Sequence, residues 1–532
     1  MKNKILSTIT LSSILFLTSA GSYANTYTVT KTADDGSVGT LRWAISQANS
    51  NAGYDVIGFA ILPAGNTFES SGANTWPVIT VITTPLPTIT ETVLIDGATQ
   101  PNTNLGFIAG KTVGVDAFVQ GNINYPDVYI VCGYTLPNSE ATTTGNGIAV
   151  NAVNVTIKGL AISGFGNRST TQATAVAHAD ISIRYSTTAR TMNTLITDCF
   201  VSCDPRGLLP SLAARVSKSG GILILGNNNY GTIKRNYVAH PGGYGIVFHG
   251  TIDNTSASPN LTPSANWLIE ENQVINIGTN TTYTGGRAAD GISMLYTRFC
   301  LVRYNYVEDW EQFGIDLGHN TDDNRIENNS LTGFTNTSGS APCGGIRTAF
   351  SSERDTISKN DIYNNTSTKH LAGIWADESR TTFAGGVTKD NSLFYFTENK
   401  IHDNINSGIV LSTNGGGSLS SVTMTKNSCY YNTGLGIDLN FTDLTGSTLV
   451  SVNDDGDIDN GTNTSQNFPI IDSAKFTANF VYVWGKAPAN STVEFFAGDG
   501  QWNKHGGLGL NYGEGRTYIG SAVEGSLDDG LS

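Results

Sequence analysis

Short runs of alternating apolar and polar residues recur along the central part of the chain. Each unit reads apolar-x-x-Asn-x-apolar and is followed some residues later by Gly-Ile. The runs are three to five residues long, and alternation over so short a run predicts a β-strand with one buried face. The asparagine of the unit stands at Asn236, Asn272, Asn305, Asn329, Asn360, Asn399 and Asn427, and degenerate copies with Leu160 and Cys199 at this position precede them.

The spacing of the units predicts the architecture. The shared position recurs at intervals of 24 to 39 residues, and a short-strand repeat with loops of variable length is typical of a parallel β-helix. The alternatives are a β-propeller or a β-sandwich, but a propeller blade needs about 40–50 residues. We therefore expect an all-β solenoid whose rungs stack along one axis.

The asparagine is expected to occupy a corner between two strands. Asn tolerates the left-handed backbone region and hydrogen-bonds its own backbone. In stacked rungs the amides would lie above one another and form a hydrogen-bonded ladder. The glycine before each isoleucine is expected to supply a bend entering the next strand.

Both ends of the repeat differ from its middle. Leu41, Ala44, Ile45 and Ala48 follow the spacing of one apolar helix face, which predicts a cap helix near the N-terminus. After residue 469 the pattern changes, and we expect strands over 480–484, 493–497 and 516–519 as the start of a β-sandwich that is incomplete by the usual strand number. The expected domains are the N-terminal cap and first rungs (25–130), the β-helix (131–468) and the partial sandwich (469–532).

The first 24 residues read as a secretory signal. Lys2 and Lys4 precede an apolar stretch over 5–17, and Ser22-Tyr23-Ala24 fits a cleavage site. The alternative, a membrane anchor, requires a longer apolar run. We expect a protein that is secreted or at the cell surface, with no transmembrane segment after cleavage.

The amino-acid composition and net charge exclude some classes of binding partner. With 532 residues, a net charge of −14 and 39% hydrophobic residues, the chain can bury a core and would repel nucleic acid. Six cysteines are too few for a disulfide scaffold. Cys199 and Cys203 are close enough to pair, and the alternative is that they are small buried apolar residues.

Specific motifs carry a family resemblance. The segments 28–34 and 39–45, which include Leu41-Arg42-Trp43-Ala44-Ile45, resemble the Ser-Leu-Arg-x-Ala-Ile cap of exported bacterial right-handed β-helix proteins, with Thr40 for the serine. Residues 86–90, 95–101, 436–439, 453–459 and 466–469 are similar to the same group. The resemblance implies a right-handed parallel β-helix of the pectin-lyase-like fold, built from PbH1-type repeats. That fold hosts lyases, glycosidases, epimerases and adhesins.

Candidate chemistry lies in the polar region between residues 290 and 380. Asp316, Arg347 and Asp377 closely follow Gly-Ile in three successive units, so they could line one face and serve as catalytic groups. Aromatic rings beside them would suit stacking on sugars. The expected substrate-binding residues are Trp310, His319, Trp375 and Arg380. The alternative is that these residues form surface ion pairs without function.

A second cluster is rich in carboxylates. Asp454, Asp455, Asp457 and Asp459 lie on a glycine-containing loop that would suit calcium, although the spacing departs from an EF-hand. The alternative is a solvated, Asp-rich turn. Calcium is therefore the one cofactor that the sequence offers.

Three functions remain open. The leading hypothesis is a monomeric β-helix protein that binds extracellular or cell-surface polysaccharide or mediates adhesion without catalysis. The alternative is a polysaccharide lyase, or a related glycoside hydrolase or epimerase, acting on a uronate-containing glycan. A purely structural spacer is the third.

Overall fold

The computed structural model describes residues 24–101, 103–136, 145–166, 178–184, 190–249, 263–278, 289–334, 343–378, 381–382, 388–389, 391–412, 419–441, 453–454, 456, 461–498 and 514–525. The signal segment, Arg380, Asp455, Asp457 and Asp459 lie outside these ranges.

Three long parallel sheets form the walls of a β-helix. Sheet 1 contains Thr26–Val29, Asp55–Phe59, Val93–Asp96, Thr156–Lys158, Arg190–Thr197, Asn228–Lys234, Ser264–Glu270, Leu301–Arg303, Arg325–Glu327, Thr356–Ser358, Tyr395–Thr397 and Thr423–Thr425, with Thr297–Arg298 beside the seventh strand. Sheet 2 contains Phe68–Ser71, Asn74–Val81, Tyr129–Cys132, Ala161–Ser163, Phe200–Val201, Tyr237–Ala239, Gln273–Ile275, Tyr306–Glu308, Ser330–Thr332, Asp361–Tyr363, Lys400–His402 and Ser428–Tyr430. Sheet 3 contains Ile148–Val150, Ala179–Ile183, Gly220–Leu225, Ile246–His249, Ile292–Met294, Phe313–Leu317, Cys343–Thr348, His370–Asp377, Ser407–Ser412 and Ile437–Phe441.

The apolar residue of each unit points inward. Ile292, Ile315, Ile346, Ile374 and Ile409 pair in register across sheet 3, and the residues of this column are fully buried. Equivalent columns on sheets 1 and 2 meet them in one continuous core. Because a single unit cannot bury its apolar face alone, stacking creates the core.

The seven asparagines form one hydrogen-bonded column between sheets 1 and 2. Asn236 donates from Nδ2 to Oδ1 of Asn272 over 3.0 Å, and Asn272 donates in the same way to Asn305 over 3.0 Å. The series continues through Asn329, Asn360 and Asn399 to Asn427 with distances of 2.9 to 3.0 Å.

The prediction that these asparagines adopt the left-handed backbone conformation is wrong. The left-handed conformation belongs to the residue before each of them, as at Arg235 (φ 52) and Tyr304 (φ 55). The asparagine instead ties the corner together: Nδ2 of Asn305 also donates to the Ile269 carbonyl over 2.9 Å. These bonds offset the cost of a left-handed non-glycine residue, about 1–2 kcal/mol.

The glycines before isoleucine are needed for space, not for a bend. A Cβ on Gly314 would lie 2.5 Å from Cδ2 of Leu331, inside the core. Gly314 is also absent from the residues of positive φ. Close approach of neighbouring rungs therefore explains the repeated glycine.

The N-terminal cap forms as expected. The helix Leu41–Ser50 buries Leu41, Ala44, Ile45 and Ala48, and Oγ1 of Thr40 accepts from the Trp43 N–H over 3.2 Å. Arg42 forms a bidentate ion pair with Asp34, with both contacts at 2.9 Å. The remaining short helical segments are Gly97–Thr99, Ala213–Arg215 and the irregular Thr462–Ser465.

An insertion over residues 107–124 lies along the solenoid. Its paired strands are Phe107–Ile108 with Ile123–Asn124, and Thr112–Val113 with Phe118–Val119. Nε2 of Gln120 donates to the Tyr304 carbonyl over 2.7 Å, and the Val115 N–H donates to the Lys359 carbonyl over 2.9 Å. The insertion thus binds rungs far along the chain.

Two antiparallel hairpins follow the β-helix. The first pairs Ile470–Phe476, a strand that the sequence did not predict, with Val481–Lys486. The second, called the C-terminal hairpin below, pairs Thr492–Gly498 with Gly515–Val523. Smaller pairs are Thr381–Thr382 with Thr388–Lys389, and Asn391–Ser392 with Leu419–Ser420.

All six cysteines are buried and none is in a disulfide, so Cys199 and Cys203 do not pair with each other. In the described ranges, no helix is both long enough and apolar enough to cross a membrane.

Candidate functional site

The predicted catalytic residues lie on the outward face of sheet 3. Asp316, Arg347 and Trp375 pair in register and form one column, and Asp377 lies two residues beyond Trp375 on the same strand. The even stacking of parallel strands brings these residues together. The shared face that the sequence predicted is therefore present.

Asp316 and Arg347 neutralise each other on that face. Nε of Arg347 lies 2.8 Å from Oδ1 of Asp316, and Nη2 lies 2.9 Å from Oδ2. The guanidinium lies 4.2 Å from the ring centre of Phe313 and 5.3 Å from that of Phe350. This is a buried bidentate ion pair held between aromatic rings, rather than a pair of groups open to a ligand.

A further carboxylate, Asp290, lies close to this pair. It is fully buried, and its Oδ1 accepts from the Phe313 N–H over 3.1 Å. Burial raises its pKa well above the ordinary value, and the negative charge of Asp316 raises it further. Burial therefore favours the protonated form of Asp290 beside the ion pair of Asp316 and Arg347. The sequence placed Asp290 in the polar region but offered no reason to choose it.

His319 lies in an aromatic stack beside the same face. Its ring is 4.5 Å from Phe350 with 6° between the planes, and 5.9 Å from Tyr296 with 14°. Burial lowers the pKa of His319 to about 4. Within the described part of the chain its buried Nδ1 has no hydrogen-bond partner. The imidazole is therefore neutral near pH 7.

The structure contradicts the binding roles expected for two tryptophans. Trp310 is 1% exposed, stacks on Phe334 at 5.5 Å in the core, and donates from Nε1 to the Gly344 carbonyl. Trp375 lies on the outward face but is 3% exposed and packs on Phe313 at 5.8 Å. Neither ring offers a free face to a sugar, because packing against other rings has covered both.

The calcium prediction concerns residues that lie largely outside the described ranges. Asp454 is described, and its N–H donates to Oδ1 of Asn467 over 3.0 Å. Across the described ranges, no three His, Cys, Asp or Glu side chains are grouped so as to hold a metal. The calcium site stays a prediction.

An aromatic column on sheet 2 is half-buried at Tyr363 and His402 and buried, at 7% exposure, at Tyr430. Tyr363, His402 and Tyr430 pair in register on three successive rungs. The rings of Tyr363 and His402 are 5.4 Å apart at 7°, and those of His402 and Tyr430 are 4.7 Å apart at 3°. Nε2 of His402 lies 3.1 Å from Oδ1 of Asp361, which fixes the ring orientation.

This column ends at a cleft of about 630 Å³. The cleft lies between sheet 2, the tip of the insertion and the C-terminal hairpin. Its lining residues are Val115, Glu398, Asn399, Lys400, Lys426, Ser428, Tyr430, Arg516, Thr517 and Tyr518.

Two cations of the cleft rest on tyrosine rings. The Arg516 guanidinium lies 4.9 Å from the ring centre of Tyr430, and its Nη1 donates to the Tyr431 hydroxyl over 3.0 Å. Nζ of Lys426 lies 5.5 Å from the ring centre of Tyr518. The cleft therefore combines aromatic rings with positive charge.

Two glutamates fix the C-terminal hairpin against the solenoid. Glu514 is buried, and its carboxylate accepts from N and Nδ2 of Asn432 over 3.0 and 2.9 Å. Oε2 of Glu494 accepts from the Lys426 N–H over 2.8 Å, and Oε1 accepts from the Thr425 hydroxyl. The far wall of the cleft is thus anchored by charge-assisted hydrogen bonds.

The sequence pattern did not predict this cleft. One signal was present, since Tyr363, His402 and Tyr430 each stand one residue after an inward residue in three consecutive units. No signal linked Arg516 and Tyr518 to them, because the chain brings those residues back from more than 80 positions away.

Comparison with known proteins places the fold. A family model described as the right handed beta helix region matches residues 260–453. Together with the three parallel sheets, this match makes the chain a right-handed parallel β-helix protein. The comparison with curated proteins gives no match.

Solved structures with the same kind of fold are distant in sequence. The Dettilon tailspike protein is 14% identical with a TM-score of 0.36, and the match covers 77% of this chain and 66% of the tailspike. The A-module of mannuronan C-5 epimerase from Azotobacter vinelandii is 13% identical with a TM-score of 0.38, covering 77% and 93% of the two chains. The lacto-N-biosidase from Eubacterium ramulus is 12% identical with a TM-score of 0.39, covering 79% and 68%. Function must therefore be argued from the residues of this chain.

Proposed function

We propose that this chain is an exported, cell-surface or secreted β-helix protein that binds polysaccharide in the cleft without catalysing a reaction on it. The observation that carries the proposal is the open cleft at the end of the Tyr363, His402 and Tyr430 stack, which is lined by the half-buried ring of Tyr518 and the exposed side chain of Arg516. Sugar rings have apolar faces that pack on aromatic rings, and polar groups beside the rings bind the hydroxyls.

The state of the sheet 3 face supports binding over catalysis. A catalytic arginine or aspartate must reach the substrate, whereas Arg347 and Asp316 bind each other and are buried between aromatic rings. Residues of the cleft, in contrast, include the exposed side chain of Arg516 and the half-buried Tyr518. The cleft can therefore admit a ligand without rearrangement of the core.

Binding of oligosaccharides by isothermal titration calorimetry tests the proposal. The panel contains neutral and acidic oligosaccharides of four to six sugars. We expect Tyr518→Ala to weaken binding by roughly 2- to 10-fold, the value of one aromatic contact. Tyr395→Ala is the matched control, because Tyr395 is an exposed tyrosine on sheet 1. Absence of binding across the panel would contradict the proposal and favour a structural spacer.

One observation favours a carbohydrate-active enzyme as the second candidate. Asp290 lies close to the ion pair of Asp316 and Arg347, and burial raises the pKa of Asp290 well above its ordinary value, as a carboxyl group that acts as a general acid requires. Incubation with polyuronates and neutral glycans, followed by measurement of new reducing ends and of unsaturated product by ultraviolet absorbance, tests this candidate. Turnover that Asp290→Asn abolishes would support it, and absence of product on every glycan would eliminate it.

A further inference from the structure

The cleft carries positive charge in a chain whose net charge is −14. On the sheets, many cations are neutralised by a carboxylate on a neighbouring rung, as Arg303 is by Glu270 at 2.9 Å. Lys400 of the cleft follows this pattern, 3.5 Å from Asp361. Among the residues that the structure describes, Lys426 and Arg516 form no such ion pair. Two cations at one cleft are thus left without an ion-paired carboxylate, while Glu398, which also lines the cleft, lies 3.8 Å from Nζ of Lys359.

Their contacts keep both charges available. Lys426 and Arg516 lie over the rings of Tyr518 and Tyr430, and a cation–π contact holds a cation in place without neutralising it. The Arg516 side chain is exposed, so its remaining N–H groups can reach a ligand. Both cations therefore present donors at the mouth of the cleft.

The two cations are also held at a fixed separation. Glu494, on one strand of the C-terminal hairpin, accepts the N–H of Lys426, and the Arg516 side chain donates to the Tyr431 hydroxyl. Glu514, two residues before Arg516, bonds the solenoid at Asn432. A preformed arrangement reduces the entropy lost when a ligand binds.

We infer that the cleft selects an acidic glycan, with an anionic group of the sugar chain bound between Lys426 and Arg516. This inference rests on the proposed function and specifies its ligand class. Arg binds a carboxylate or a sulfate through paired donors, and Lys adds a point charge. Tyr518 supplies the apolar contact that a simple ion-exchange surface lacks.

Three ligands that differ in charge test whether the cleft requires an anion and whether that anion is a carboxylate or a sulfate. We propose calorimetry on the full chain with an oligogalacturonate of six sugars, its fully methyl-esterified form and a sulfated oligosaccharide of the same length. The methyl ester keeps the sugar backbone and removes the charge. Preference for the oligogalacturonate over the sulfated chain would identify carboxylate as the anion, and the reverse preference would identify sulfate.

Substitutions at the cations complete the test. We expect Lys426→Gln and Arg516→Gln each to weaken binding of the preferred acidic ligand by roughly 10-fold or more, as for loss of a hydrogen bond to a charged group. Binding of the methyl ester should change little. Lys475→Gln is the control, because Lys475 is an exposed lysine on the first hairpin. Lys426→Gln removes no side-chain hydrogen bond among the described residues, so it remains informative if Arg516→Gln unfolds the hairpin.

The possible outcomes distinguish failure of the acidic-ligand inference from failure of the proposed function. Equal binding of charged and esterified chains would overturn the acidic-ligand inference and leave the proposed function standing. An equal loss with Lys475→Gln would show a general charge effect and overturn the cleft as the site of selection. Failure of all three ligands and of the neutral panel would overturn both proposals.

Discussion

Glu514 takes the place of the next asparagine above Asn432. A second amide column, outside the predicted one, runs from Asn365 through Asn404 to Asn432 with Nδ2 to Oδ1 distances of 2.9 and 3.0 Å. At its end the Glu514 carboxylate accepts both donors of Asn432. Without Glu514 the Asn432 N–H would lose its acceptor, and Nδ2 of Asn432 would keep only its bond to the Ile401 carbonyl at 3.0 Å.

Loss of this carboxylate should destabilise the C-terminal end of the solenoid. We expect Glu514→Ala to lower the free energy of unfolding by about 2–4 kcal/mol, because two buried donors lose their acceptor. Glu514→Gln should cost less, since its amide keeps one acceptor. Denaturant unfolding measures the effect. The control is Asp472→Ala, an exposed carboxylate on the first hairpin, and a similar loss there would contradict the capping role.

Interruption of the main asparagine column should destabilise the protein more than loss of an exposed asparagine does. Asn305 accepts from N and Nδ2 of Asn272 and donates to Asn329 and Ile269. We expect Asn305→Ala to destabilise the protein by about 3 kcal/mol, because several buried groups lose a partner together. Asn124→Ala, at an exposed position on the insertion, should have little effect on thermal unfolding. Equal midpoints for the two variants would refute this role.

Asp355 should make the stability depend on pH. It is fully buried and accepts from N and Nδ2 of Asn324, and burial raises its pKa to about 7. The folded state therefore holds a proton that the unfolded chain releases near pH 4, so the stability that Asp355 contributes is fully present below pH 4 and is lost as pH rises towards 7.

Substitution of Asp355 by asparagine should remove that part of the pH dependence. An amide mimics the neutral acid, and its Nδ2 can donate to Oγ1 of Thr321, which is 2.9 Å from Oδ2 of Asp355. We expect the melting temperature of Asp355→Asn to exceed that of the parent at pH 8 by more than it does at pH 4. A difference that is the same at both values would show that Asp355 does not titrate in this range.

The two carboxylates near Arg347 should respond differently to neutralisation. Asp316→Asn leaves a buried guanidinium without its partner, and we expect a loss of about 3–5 kcal/mol. Burial raises the pKa of Asp290 and so favours its protonated form, which an amide resembles, and we expect a much smaller loss for Asp290→Asn. Equilibrium unfolding of the two variants at pH 7 compares them. The reverse order would mean that Asp290, and not Asp316, carries the charge that balances Arg347.

The repeat could be predicted from the sequence because the interactions that produce it lie within one unit and recur in every unit. Ile233, Asn236 and Val238 show the inward strand residue, the corner amide and the next inward residue within six positions, and the same order returns in each rung. The sharing of one face by Asp316, Arg347 and Trp375 followed from register alone, since each stands at the same offset from an inward isoleucine.

Accessibility and charge balance were decided by tertiary structure. Trp310 reads as a surface aromatic in the sequence, yet it packs on Phe334, because its rung directs it into the core.

Arg347 and Arg516 are the same type of residue, so the sequence does not show which of them is neutralised. One is neutralised by Asp316 on the next rung, and the other lies on Tyr430, a residue 86 positions away, without a described carboxylate. Sequence alone thus determined the coil, the corner amides and the core, through side chains that act within one repeat. Which outward groups stay open to a ligand depended on contacts between distant segments, and those contacts form only when the insertion and the C-terminal hairpin pack against the solenoid.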